Sequence, residues 1–129
     1  MQLSATRSVL IVDDSAEILS TASVYLSQRG FDVHTSDSPL GVSSLVLRHR
    51  PSVVVLDVMM PALDGGALAK LLRSMSTGQA TPIVFFSSME EEQLYRLTKD
   101  TDNASYVLKS DGLAALHAAI CRRLGVVRV

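Results

Sequence analysis

The sequence predicts an α/β fold built on a doubly wound parallel sheet, and three observations carry that expectation. Short runs rich in aliphatic residues recur along the chain, and two of them, Val9-Leu10-Ile11-Val12 and Val53-Val54-Val55-Leu56, are apolar at every position rather than at alternate ones. Continuous apolar runs of this length suit strands covered on both faces. Stretches with a 3.6-residue apolar period separate the runs. Strands alternating with helices need crossover connections, which cover both faces of a parallel sheet. Finally, both central runs end in carboxylates, Asp13-Asp14 and Asp57.

Taken in order, Ser8 to Val12 forms the first buried strand. Ser15 caps a helix over Ala16 to Arg29, whose apolar positions Ile18, Leu19, Ala22, Tyr25 and Leu26 follow the helical period, with Gly30 as the stop. Phe31-Asp32-Val33-His34-Thr35 alternates in polarity, as an edge strand half exposed to water does. Ser38 and Pro39 open a second helix on Leu40, Val42, Leu45 and Val46, running to His49 before Pro51 blocks it. After the third strand, Pro61 stops regular structure and Gly65-Gly66 gives a flexible turn. Leu68, Leu71, Leu72 and Met75 mark a third helix ending at Ser76-Thr77-Gly78. Pro82 to Ser87 is the fourth strand, with its proline at the start, where a missing donor is tolerated. Glu90-Glu91-Glu92 places negative charge in the first turn of a fourth helix, the least apolar of the set. Ala104 to Lys109 forms a short fifth strand, and Leu113, Leu116, Ile120 and Leu124 mark the fifth helix.

With strand 2 as the alternating edge and strands 1 and 3 the most continuously apolar, the expected strand order is 2-1-3-4-5, a flavodoxin-like arrangement of five strands and five helices. The domain spans residues 8–124, with short extensions at 1–7 and 125–129. Strands 1 and 3 are then neighbours, and Asp13, Asp14 and Asp57 meet at the carboxyl ends of the strands, where open parallel sheets bind ligands.

Composition excludes several function classes. The 129 residues are 47% hydrophobic with a net charge of −1, enough for one core and without the basic stripe that a nucleic-acid surface needs. No apolar run is long enough to span a bilayer, and residues 1–7 lack the apolar core of a signal peptide. The single cysteine, Cys121, lies in an apolar helical pattern and reads as a small buried hydrophobe in a reducing compartment, so the expected address is the cytoplasm. His34, His49 and His117 are far apart in the chain and point to packing or surface roles without a shared site. The methionines read as adaptable fillers.

Three carboxylates at close range repel one another unless a cation neutralises them. Oxygen donors without histidine or cysteine favour Mg²⁺, which keeps several waters and bridges carboxylate to phosphoryl oxygen. Asp57 is placed to attack phosphorus and form an aspartyl phosphate. Ser87, ending strand 4, offers a hydroxyl to a phosphoryl oxygen, and Lys109, ending strand 5, offers an ammonium to balance its charge.

Val12-Asp13-Asp14-Ser15, Leu56-Asp57-Val58-Met59-Met60-Pro61 with Asp64-Gly65, the hydroxyl residue Ser87, and Tyr106-Val107-Leu108-Lys109, in that order, resemble the response regulator receiver domain of two-component signalling. The resemblance covers Ser8 to Leu124. It implies that Asp57 accepts a phosphoryl group from a histidine kinase or phosphotransfer protein. It also implies that Asp14, Asp57 and the Met59 carbonyl bind Mg²⁺ directly, with Asp13 acting through water. Ser87 would move toward the phosphate and Tyr106 would turn inward into the vacated space. Output to a downstream protein would run through helix 4, strand 5 and helix 5 of a monomer or weak dimer, without nucleic acid or membrane.

Departures from the family pattern are informative. Ser110 replaces the proline that usually follows the lysine, where a non-proline cis bond would cost roughly 3 kcal/mol. Ser88 stands where alanine is commoner. Asn103 replaces a glycine and tolerates the same left-handed turn. Met59 and Met89 occupy positions where polar groups often orient a hydrolytic water, so slow self-dephosphorylation is expected. Two other readings are a phosphorylation-independent pseudo-receiver acting as a docking module, and an aspartyl-phosphate hydrolase. The hydrolase would need an acid or base where Met59 stands.

Overall fold

The computed structural model describes residues 7–60, 65–74 and 81–126. Its elements are β1 (Ser8–Val12), α1 (Ala16–Ser27), β2 (Asp32–Ser36), α2 (Val42–His49), β3 (Val53–Leu56), α3 (Gly65–Ser74), β4 (Ile83–Ser87), α4 (Glu91–Lys99), β5 (Ala104–Leu108) and α5 (Gly112–Leu124). A single 3₁₀ turn, Lys109–Asp111, joins β5 to α5. The five strands are parallel in the order β2-β1-β3-β4-β5, as the sequence predicts.

The central strands separate two cores, because successive side chains point to opposite faces. Val9, Ile11, Val53, Val55, Val84 and Phe86 face α1 and α5, where Leu26, Leu116 and Ile120 close on them. Leu10, Val12, Val54, Leu56, Ile83 and Phe85 face the other way, against Val42 of α2, Leu68 and Leu72 of α3 and Leu94 of α4. Each such aliphatic or aromatic side chain contributes roughly 1.5–3 kcal/mol on burial, which sets the registers firmly. Among the described residues no helix is long and apolar enough to cross a membrane.

Several local expectations hold. The Ser15 hydroxyl accepts from the Ile18 N–H and caps α1. Cys121 is buried. Asn103 takes a left-handed φ of 54°, and Arg123 of α5 donates to its side-chain carbonyl at 3.1 Å.

Other elements differ from expectation. Helix α2 begins at Val42, not at Ser38-Pro39, because Gly41 takes a φ of 82° and interrupts the helical path. The Ser38 hydroxyl instead accepts from the Leu40 N–H in a tight turn, and Leu40 is exposed rather than packed. Gly65-Gly66 is not a turn but the first residues of α3. Helix α1 closes at Ser27, before Arg29. The chain leaves β5 at Leu108, so Lys109 opens the 3₁₀ turn rather than ending the strand. His34 and His49, far apart in the chain, take a packing role as expected, and they take it against each other: their rings stack with centroids 3.7 Å apart. Pro61, Asp64, Met75 and the Ser76-Thr77-Gly78 stop lie outside the described residues.

Because Asn103 sits at positive φ, Asn103→Val is expected to lower stability by about 1–2 kcal/mol in urea unfolding. An unchanged midpoint would show that this turn carries no conformational demand.

Candidate functional site

The pairing of β1 with β3 brings the acidic ends of both strands together. Val12 lies opposite Leu56 in the parallel register, and the ladder runs one residue further, with the Asp57 N–H donating to the Val12 carbonyl at 3.0 Å. The Asp13 N–H likewise donates to the Ser36 carbonyl of β2 at 3.1 Å. Both aspartates are therefore fixed by sheet hydrogen bonds before their side chains make any contact. Asp13 is 2% and Asp57 4% exposed, whereas Asp14 faces solvent.

One carboxylate oxygen from each of Asp13, Asp14 and Asp57 lies within 4.8 Å of the other two. The buried carboxylates are each held at both oxygens. Asp13 Oδ1 accepts from the Ser15 N–H at 2.9 Å, and Asp57 Oδ1 accepts from the Met59 N–H at 3.0 Å. Their other oxygens share one cation: Lys109 Nζ lies 2.9 Å from Asp13 Oδ2 and 3.2 Å from Asp57 Oδ2. All donors offered are hard oxygens at a partly open rim, which fits a divalent cation such as Mg²⁺. Asp14, the most solvent-exposed of the three, is the one without a bond to Lys109 among the ion pairs described.

Burial alone would lower the Lys109 pKa, but hydrogen bonds and charge from Asp13 and Asp57 outweigh it and raise the ammonium above the ordinary lysine range. A pKa raised by folding contributes stability that is complete below the unfolded value, about 10.4, and lost as pH rises through the folded one. Lys109 thus keeps its charge across neutral pH.

Ser87 and Tyr106 occupy neighbouring strands, with Ser87 opposite Leu108 and Phe85 opposite Tyr106. Ser87 is fully buried, and its hydroxyl accepts from the Met89 N–H at 3.2 Å. Tyr106 packs on the α4 side of the sheet with Met89 and Leu97, and its hydroxyl points outward and donates to Glu91 Oε2 at 2.9 Å. That hydrogen bond, with lesser help from desolvation and nearby charge, raises the phenol pKa above its usual range. Met59 is 53% exposed at the rim, with the Ser88 hydroxyl 3.9 Å from its sulfur. No peptide bond among the described residues is cis, the bond before Ser110 included.

Of the residues singled out in the sequence, the fold brings Asp13, Asp14, Asp57 and Lys109 together; Ser87 ends the neighbouring strand β4, and Tyr106 stays on the flank facing α4. Two features escaped sequence reasoning. Lys109 bonds the carboxylates themselves, and Glu91 holds the Tyr106 hydroxyl. Glu91 was visible only as one of three consecutive glutamates, a pattern that the helix dipole already explains.

Lys109→Met leaves two buried carboxylates facing each other, and is expected to cost about 2 kcal/mol in urea at pH 7 without divalent ions, less than for a fully buried pair because the rim is open. The deficit should hold constant from about pH 7 to about pH 10. A deficit that shrinks already near pH 8 would contradict the pairing.

Comparison with known proteins agrees with this geometry. The chain matches the family model described as response regulator receiver domain over residues 9–121. It is 29% identical over 112 residues to the transcriptional regulatory protein RstA of Escherichia coli (strain K12), covering 87% of this chain and 46% of that protein. It is 31% identical over 120 residues to the transcriptional regulatory protein PrrA of Mycobacterium tuberculosis, covering 91% of this chain and 51% of that one. The chain thus spans about half the length of these curated relatives. Among solved structures, the BeF3-activated receiver domain of Klebsiella pneumoniae RstA superposes with a TM-score of 0.82 at 27% identity, over 92% of this chain and 98% of that one. The chemotaxis protein CheY4 of Vibrio cholerae does so with a TM-score of 0.85 at 26% identity, over 93% of this chain and 100% of that one. With the family model covering most of its length, the chain belongs to the response regulator receiver domain family.

Proposed function

We propose that this domain is a phosphorylation-driven signalling switch whose acceptor is Asp57, with Mg²⁺ bound by Asp14, Asp57 and the Met59 carbonyl and with Asp13 acting through water. The observation that carries this reading is the convergence of Asp13, Asp14 and Asp57 on one point, with Lys109 bridging the two buried members. The donor is a phosphohistidine of a kinase or phosphotransfer protein. An Asp57 oxygen forms the new bond to phosphorus as the phosphorus–nitrogen bond breaks, and the leaving imidazole retains the electron pair and takes up a proton from solvent. Bound Mg²⁺ would supply positive charge to the transferring phosphoryl oxygens.

The chain's own residues do the rest. The Met59 N–H holds one Asp57 oxygen and so orients the carboxylate. Lys109, already within reach of Asp57, moves its charge onto the phosphoryl group once the carboxylate is esterified. Ser87, whose oxygen accepts from the Met89 N–H, donates its O–H to a phosphoryl oxygen, and Tyr106 turns inward. These shifts alter α4, β5 and α5, the face through which a downstream protein reads the state. Phosphorylation biases a pre-existing equilibrium rather than creating a new fold.

Incubation with Mg²⁺ and acetyl phosphate should add one phosphoryl group to the wild type by intact-mass spectrometry and none to Asp57→Ala. A folded wild type that gains nothing would contradict the switch and favour a docking module independent of phosphorylation.

Loss of the phosphoryl group should be slow, because Met59 and Met89 offer no strong hydrogen bond to an attacking water. Met59→Asn supplies one such group and should speed loss about fivefold, the equivalent of one net hydrogen bond in the transition state. Equal half-lives in the two proteins would show that the rim side chain has no part in hydrolysis.

A further inference from the structure

The hydroxyl of Tyr106 is engaged across the sheet–helix boundary. Tyr106 lies on β5 with its side chain on the α4 face, and its O–H donates to Glu91, the first residue of α4, at 2.9 Å. The acceptor is a carboxylate, and charge-assisted hydrogen bonds are shorter and stronger than neutral ones. Glu92, the next residue, is turned away and pairs with Arg96 one helical turn on, at 2.7 Å. Of these two acids in the first turn of α4, one serves the helix surface and the other reaches across to the sheet.

We propose that Glu91 is a positioning residue for the phosphorylation response, a latch that holds Tyr106 outward and sets the resting balance of the switch. This deepens the function proposed above and rests on it. The ring cannot turn toward Ser87 and keep its hydroxyl on Glu91, so every inward excursion breaks the bond. The same bond ties the first turn of α4 to β5, so release of the ring also frees the start of the helix. Activation therefore has to overcome a contact specific to the resting state, and weakening that contact raises the population of the active state without touching the acceptor site.

The test uses the full chain with tyrosine-ring labelling, Mg²⁺ and beryllofluoride as the phosphoryl mimic. In the absence of the mimic, Glu91→Ala should shift the Tyr106 ring resonance away from its wild-type position, and Glu91→Gln, whose amide oxygen still accepts, should shift it less. Half-saturation by beryllofluoride should fall about fivefold in Glu91→Ala, the equivalent of one net hydrogen bond. Glu92→Ala removes a charge from the same helical turn and should leave both readings at wild type, which separates the latch from the helix dipole. In a Tyr106→Phe background, Glu91→Ala should no longer change beryllofluoride affinity. A Tyr106 resonance unmoved in Glu91→Ala, or an affinity gain that persists without the Tyr106 hydroxyl, would overturn the latch. A wild type that takes up no beryllofluoride would instead overturn the switch reading, and the ring resonance without the mimic would then decide the latch alone.

Discussion

Everything in this fold that bears on function depends on one electrostatic constraint: two buried carboxylates and a third at the rim are held within a few ångströms of each other. Left alone, such a cluster would splay apart or take up protons. Two things prevent this. The backbone of Asp13 and Asp57 is pinned by ladder hydrogen bonds that continue beyond the strands proper, and Lys109 bridges the pair from the end of β5. The apolar strands thus serve the site directly. Their burial fixes the registers, the registers fix the carboxylates, and a slip of one residue between β1 and β3 would turn an aspartate into the core.

The same constraint explains the place of Lys109, whose ammonium supplies the counter-charge to both buried carboxylates. Around it lie a Ser87 hydroxyl that accepts from the Met89 N–H, an outward tyrosine bonded to α4, and an exposed methionine at the rim.

Much of this was legible in the sequence, and the parts that were not share a cause. The buried strands are continuous apolar runs, so their identity, order and carboxylate ends follow from local pattern. Asn103 was legible because few residues tolerate its backbone geometry. The start of α2 was misplaced since Ser38-Pro39 is a good helix opening, while the left-handed Gly41 that overrides it depends on how the chain packs. The His34–His49 stack and the Glu91–Tyr106 bond join residues distant along the chain through contacts made only in the folded protein, and periodicity carries no information about such pairs. Lys109 shows both sides: its place beside the end of β5 was readable to within one residue, but its partners emerge only when Asp13 and Asp57 are seen to face it.

The central claim is that these carboxylates form a hard-cation site whose repulsion a divalent ion relieves. Urea unfolding with and without millimolar Mg²⁺, in the wild type and in Asp13→Asn combined with Asp14→Asn, tests it most directly. The account predicts that Mg²⁺ stabilises the wild type, by about 1.4 kcal/mol at an ion concentration ten times the dissociation constant, and leaves the double variant unmoved. A wild-type midpoint indifferent to Mg²⁺, in a domain that folds normally, would contradict it.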